Sequence, residues 1–371
     1  MSLHARFVVL SAALLARAMP LAIGFIVATL FGSKDYADTV LLITAANLCG
    51  VLPMLAVTPL VLRSKDDGMA VWLASRGILA GLPLILAGSL LVSRYLESIG
   101  NGFFLFAYSS AVFVLGVAQS LHNQRMENAK ALLHACAVVA VALVGGVVAY
   151  IAAGSRAVFL DALAAAMLAA ALLSFASIRR RYACTHVSVP RRDFMTGSLD
   201  ALWSGLFSFL LIAGLFIAGL KAKHAGDPPA FVVFSLGLQV FSVVVFIPGA
   251  LSSYFIPRLV RSEPGALRSG VNSTVRAYTT IAMLLFVVVI VISPICFWYL
   301  QQPLGSRLFS IFALIQLAAL LAAINAAYNQ VLVGLGRFFT LAILSLVWLL
   351  VFLGAQSLGG GGVVWIASAL V

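Results

Sequence analysis

Residues 7–31 read FVVLSAALLARAMPLAIGFIVATLF. A helix needs roughly 20 predominantly apolar residues to cross about 30 Å of hydrocarbon, and this run supplies them with one charge inside, Arg17. His4 and Arg6 precede the run, and Ala16-Arg17-Ala18 has the small residues of a cleavage site. A signal-peptide core is only about 7–15 residues long, whereas this run continues through 21–31. The expectation is therefore an uncleaved first span.

Similar runs follow at 39–62, 70–93, 103–121, 131–153, 158–178, 198–219, 230–256, 277–300, 308–333 and 339–357, separated by short polar loops. After the glycines at 359–362 a last run begins at Val363 and stops at Val371, too short to cross a bilayer. The expectation is an all-α polytopic membrane protein with about 12 transmembrane helices and a truncated last one; a naturally vestigial twelfth helix is the alternative. Composition agrees. The chain is 63% hydrophobic and 9% charged, with mean hydropathy +1.13; a soluble domain carries roughly 25% charged residues. So apolar a chain must use lipid as part of its solvent, which excludes a soluble enzyme.

The net charge is +12. In a soluble protein this would point to nucleic acid, but here the basic residues lie in short loops between spans, where they set orientation and meet anionic headgroups. With the N-terminus in the cytoplasm, only Lys34, Arg94, Arg156, Lys221, Lys223 and Arg307 of the 23 Lys and Arg face outside. Arg17 lies within the first span, and the rest face inside. The positive-inside rule therefore predicts a multi-pass membrane protein with a cytoplasmic N-terminus. Cys49, Cys136 and Cys296 lie in apolar runs and Cys184 in a basic loop, without metal-ligand spacing. The sequence holds no Walker loop, no His-Glu-x-x-His and no Gly-x-Ser-x-Gly. No cofactor and no metal are expected.

The segment 179–197 carries five arginines near the middle of the chain. It divides the chain into an N-terminal six-helix lobe, 1–178, a basic cytoplasmic linker, 179–197, and a C-terminal lobe, 198–371. A short repeat supports this division. Pro59-Leu60-Val61-Leu62-Arg63 closes the second span and Pro257-Arg258-Leu259-Val260-Arg261 the eighth. Parallel halves of this kind are a transporter design, with the site near mid-membrane between them. Chance matches at helix ends are the alternative.

Arg17 lies about ten residues into its span, about 15 Å deep. An arginine at that depth costs roughly 2.5–3.5 kcal/mol on insertion scales, and such residues face a protein interior or a water-filled cavity, or else snorkel to the interface. No Asp or Glu lies deep in any span; Asp200 reads as a first-turn carboxylate beside a Thr196 or Ser198 cap. Ion-coupled transporters commonly use buried carboxylates. Their absence beside Arg17 points to an anionic substrate. Arg63, Arg76, Arg125, Arg261 and Arg276 lie at cytoplasmic span ends. Arginine binds phosphate oxygens bidentately, so this ring suits a pyrophosphate headgroup; orientation and lipid contact account for each one singly. Asn47, Gln119, Gln239, Gln316, Asn325 and Asn329 fall within spans. Such amides suit sugar hydroxyls, and equally suit hydrogen bonds between helices.

Three stretches carry a family resemblance. The Gly32-Ser33-Lys34-Asp35-Tyr36 turn resembles the Gly-x-x-x-Tyr turn between the first two helices of bacterial polysaccharide flippases, lipid-linked oligosaccharide translocases of the multidrug/oligosaccharidyl-lipid/polysaccharide exporter superfamily. The stretch 231–261, with Gln239 and Phe255-Ile256-Pro257-Arg258, is similar to their eighth helix. The stretch 328–346, with Gly334-Leu335-Gly336-Arg337, resembles their turn between helices ten and eleven. The resemblance implies two lobes around a cationic central cavity. It implies movement of an undecaprenyl-pyrophosphate-linked oligosaccharide to the outer leaflet by alternating access. Arg17, Arg63, Arg76, Arg125, Arg261 and Arg276 would hold the pyrophosphate, and Asn47, Gln119 and Gln239 the sugars. The implied partners are the lipid-linked glycan, membrane lipid, and a glycan polymerase and chain-length protein. The incomplete twelfth span departs from the pattern. Two rivals stand beside this reading. A multidrug or small-metabolite antiporter of the same superfamily would be expected to carry acids in its cavity. A membrane polymerase or non-transporting scaffold of a glycan-synthesis complex is the other, and short outside loops disfavour the polymerase.

Overall fold

The computed structural model describes residues 19–64, 67–96, 102–124, 127–182, 191–261, 264–359 and 362–371. Among them the chain forms α1 (Met19–Phe31), α2 (Ser33–Arg63), α3 (Asp67–Tyr95), α4 (Gly102–Gln124), α5 (Asn128–Ala153), α6 (Arg156–Tyr182), α7 (Arg191–His224), α8 (Pro228–Arg261), α9 (Pro264–Tyr299), α10 (Ser306–Gly334), α11 (Phe338–Leu358) and α12 (Val363–Leu370). Ten of them, α2 to α11, are long and apolar enough to cross a membrane. The protein is an all-α polytopic membrane protein, as its apolar runs require: in hydrocarbon only a helix satisfies its own backbone. Arg17 and Arg125 lie outside the described residues.

The helices run further than the apolar windows. α7, α8 and α9 contain 34, 34 and 36 residues. At 1.5 Å per residue each is about 50 Å long, well beyond the roughly 30 Å of hydrocarbon. The excess lies at the arginine-bearing ends. α6 continues to Tyr182 and α7 begins at Arg191, so 179–182 and 191–197 of the expected linker are helical; 183–190 lie outside the described residues. Arg179, Arg180 and Arg181 occupy the last turn of α6, where the helix dipole favours cations. The early start of α7 also corrects the reading of Asp200. It lies in the third turn of α7 rather than the first.

The turn expected over 32–36 is a single residue. Gly32 adopts φ +97°, a left-handed conformation open to glycine, and Ser33 already belongs to α2. The Gly32 N–H donates to the Ala28 carbonyl at 3.0 Å, and its own carbonyl accepts the Tyr36 N–H at 3.1 Å. One glycine thus closes one helix and opens the next. The turn expected around Gly334-Leu335-Gly336-Arg337 is present between α10 and α11.

The helices group into two packing units. One comprises Leu42–Ile212, with α6 packed on α4 and α5, and it buries Phe104, Tyr108, Phe113 and Phe159. The other comprises the described residues 19–41 together with Ala213–Val371, and is built on α8 lying along α10 with α9 and α12 beside it. Phe234, Phe297 and Phe312 fill its interior. The change from one unit to the other falls within α2 and α7.

Candidate functional site

α9 begins with Pro at its first position, where a missing N–H costs nothing, and continues through a polar stretch before its apolar run. Asn272, Arg276 and Thr280 recur every four residues, which places them on one face of the helix. All three are exposed. Tyr278, on another face, is fully buried and anchors the helix. Tyr328 of α10 faces the polar stripe, and together they line an open groove of about 940 Å³ with Ser273 and the apolar side chains Val271, Val275, Ala277 and Ile281. Among the described residues no carboxylate lines this groove and none pairs with Arg276. The arrangement offers one guanidinium, one amide and three hydroxyls against an apolar floor.

The other expected site residues are distributed unevenly. Arg276 and Gln239 belong to the unit that holds α8–α12; Asn47, Arg76 and Gln119 belong to the other. Arg76 is exposed, with its guanidinium 5.9 Å from the Trp72 ring one helical turn back toward the start of α3. That cation–π contact turns the charge toward the helix end, as an interfacial arginine is expected to lie. Asn47 and Gln119 are half-buried on α2 and α4. Arg63 and Arg261 are the closing residues of α2 and α8; their side chains, like Arg17 and Arg125, lie outside what the structure describes.

No protein-family model matches the chain, and no curated protein matches it in sequence. Solved structures do match its fold. An outward-facing multidrug-resistance MATE family transporter of the MOP superfamily aligns with TM-score 0.69 at 14% identity, covering 98% of this chain and 91% of the transporter. An inward-facing MATE structure aligns with TM-score 0.65 at 14% identity, covering 98% and 94%. A MOP superfamily transporter from Pyrococcus furiosus, described as having a binding pocket of reverse polarity that suggests a different function, aligns with TM-score 0.67 at 14% identity, covering 99% and 91%. The fold is that of the MATE transporters.

Within this MATE-like fold Gln239 serves packing. It is buried, its Nε2 donates to the Pro20 carbonyl at 3.0 Å, and its Oε1 accepts the Tyr36 hydroxyl at 3.0 Å. Both ends of the amide are thereby occupied in joining α1, α2 and α8. Gln316 likewise donates from Nε2 to the Gly237 carbonyl at 3.2 Å, tying α10 to α8. Several carboxylates are also committed. Asp38 pairs with Lys223 at 2.9 Å, and Glu127 with Lys130 at 2.5 Å. Asp227 pairs with Arg307 at 2.7 Å while its other oxygen accepts the Ala230 N–H at 3.1 Å, capping α8. Asp35 and Asp67 occupy first turns, where the helix dipole favours them.

Sequence reasoning missed a histidine pair in the other unit. His122 and His134 meet edge to face, with ring centroids 4.9 Å apart. Glu127 lies 3.2 Å from His122 Nδ1, and Ser174 Oγ 2.6 Å from His134 Nδ1. The signal was present: His122 nearly closes α4, His134 lies in the second turn of α5, and the connection between them is short.

Proposed function

We propose that the chain is a transporter that moves an anionic, lipid-linked glycan from the inner to the outer leaflet of a bacterial inner membrane by alternating access. The observation that carries this reading is the polarity of the α9–α10 groove. Among the described residues its only charge is Arg276, set among hydroxyls and an amide, and no acid lines it. A guanidinium binds phosphate oxygens through paired hydrogen bonds. Neutral amides and hydroxyls suit sugars. A carrier of cationic drugs would need the opposite, carboxylates facing its cavity.

Neighbours of this fold solved in outward-facing and inward-facing conformations support alternating access, and the MOP transporter described as having a pocket of reverse polarity is a parallel for departing from the multidrug pattern. In this reading Arg276 acts on the pyrophosphate, and the N-terminus is cytoplasmic. A glycan polymerase and a chain-length protein would receive the product.

The test is complementation. Cells lacking their own lipid-linked glycan transporter receive this chain, and surface glycan is measured at matched membrane levels of protein. Arg276→Ala is expected to lower surface glycan about tenfold or more, the loss of one charged hydrogen-bond set. Unchanged glycan, with energy-dependent extrusion of a cationic dye instead, would replace this reading with a multidrug antiporter.

A further inference from the structure

The exposed face of α9 does not end with its polar stripe. Continuing from Thr280 by helical spacing it becomes apolar: Leu284, Val287, Val291, Ile295 and Trp298 are 57–78% exposed. α10 shows the same change, from exposed Leu317 and Leu321 to exposed Asn325 and Tyr328. Trp298 and Tyr299 mark one end of α9 with the aromatic pair favoured at a membrane interface. Counting back roughly 20 residues, the length that spans hydrocarbon, reaches Tyr278. Arg276 therefore lies at the opposite boundary. The turns back to Pro264 stand beyond it, which explains why this helix is so much longer than a span requires. The polar groove and the apolar face are thus two parts of one surface, divided where headgroups give way to acyl chains.

We propose that this surface docks a phosphate-headed lipid, with the phosphate on Arg276 and the hydrocarbon chain laid along the apolar continuation of α9 and α10. The proposal rests on the reading of an anionic, lipid-linked substrate and makes this surface its loading position. Charge complementarity and the matched change of polarity on two adjacent helices select the occupant. A free anion would make no use of the apolar half, and an uncharged lipid no use of Arg276. The groove volume of about 940 Å³ lies near the upper end of small-ligand pockets and leaves room beside the phosphate for attached sugar. Asn272, Thr280 and Tyr328 are placed to meet it.

The experiment uses the full chain, purified in neutral detergent. Binding of a long-chain polyprenyl phosphate is followed by native mass spectrometry, with the corresponding polyprenol, inorganic phosphate and phosphatidylglycerol as competitors. The polyprenyl phosphate is expected to bind and to resist competition by polyprenol or inorganic phosphate. Arg276→Ala should weaken it about tenfold to a hundredfold. Arg276→Lys, which keeps the charge and guards against misfolding, should weaken it less, and Arg307→Ala should leave it unchanged. Inorganic phosphate competing at equal concentration would reduce the surface to a free-anion site. Phosphatidylglycerol displacing the probe equally well would assign it to bulk lipid. Either result overturns the proposal. Loss of export in Arg276→Ala with binding intact overturns the docking surface and leaves the transport reading standing. Binding that depends on Arg276, in a chain that exports no glycan, does the reverse.

Discussion

At the junction of α1, α2 and α8, Gln239 gives its Nε2 to the Pro20 carbonyl and takes the Tyr36 hydroxyl on its Oε1, with the amide and the Tyr36 ring packed against Gly24. At the groove between α9 and α10, in the same packing unit, Arg276, Asn272 and Tyr328 are exposed, and Arg276 meets no carboxylate among the described residues. Both regions set polar groups into a largely apolar bundle, and they use them in opposite ways. A buried polar group is tolerable when its partners are built in, because leaving one unpaired costs about 1–3 kcal/mol. An exposed guanidinium pays no such penalty and keeps its donors available. Whether a polar residue in a span is saturated by the protein therefore separates the residues that hold this fold from those placed to receive a ligand.

The junction breaks most severely at Gly24. A Cβ there would lie 2.7 Å from Gln239 Nε2 and 2.9 Å from a Tyr36 ring carbon. Neither can yield without abandoning the hydrogen bond between them. Overpacking costs about 1–3 kcal/mol, and unpairing the amide adds a similar amount. Gly24→Leu should therefore abolish folded protein in the membrane, read as loss of the monodisperse peak on size-exclusion chromatography. A normal yield would show that the junction gives way easily.

Arg276→Ala should act in the opposite sense. Removing an exposed side chain that meets no carboxylate among the described residues strands no buried partner there, so thermal stability in detergent should stay within about 0.5 kcal/mol of the wild type, while surface glycan falls about tenfold. Stability and transport losses of comparable size would merge the two regions into one structural class. Gln239→Leu lies between. It strands the Tyr36 hydroxyl and should cost about 1–3 kcal/mol. Tyr36→Phe strands a single acceptor, Gln239 Oε1, while the Nε2 bond to the Pro20 carbonyl remains, so it should cost less; hydrogen bonds between spans average about 0.6 kcal/mol. The order Gln239→Leu above Tyr36→Phe, taken from denaturation in mixed micelles, checks the assignment of Gln239 to packing.

The helices were legible in the sequence because an apolar run long enough to cross a bilayer admits few other structures. Their ends were not. Polar residues such as Asn272 and Ser273 do not stop a helix, so α9 begins at Pro264 rather than near 277, and α7 at Arg191 rather than near 198. The same error made Asp200 look like a first-turn residue. Gln239 was visible as a polar residue in a span, but its partner Tyr36 is 203 residues away, and nothing local distinguishes a satisfied amide from a waiting one. Arg276 was visible as a basic residue at a span end; the groove was not, because Tyr328 comes from another helix. Arg17, the residue on which the sequence reading leaned most, lies outside the described residues.

The smallest expected effect tests whether charge pairing alone places a group in the structural class. Arg307 contacts Asp227 at 2.7 Å, yet its side chain is 65% exposed. Pairs in such a setting contribute about 0–1 kcal/mol, because water screens them and the long side chain loses freedom. Asp227 has a second duty, since its other oxygen caps α8 through the Ala230 N–H. Arg307→Ala should therefore cost a few tenths of a kcal/mol at most, whereas Asp227→Ala, which removes the cap as well, should cost about 1 kcal/mol. Adding salt should shrink the first difference and spare the second, because a hydrogen bond to a backbone N–H does not depend on a distant countercharge. Equal losses in the two variants, both abolished by salt, would show that the ion pair holds the start of α8, and that an exposed pair at this end of the bundle does structural work comparable to the buried amide junction.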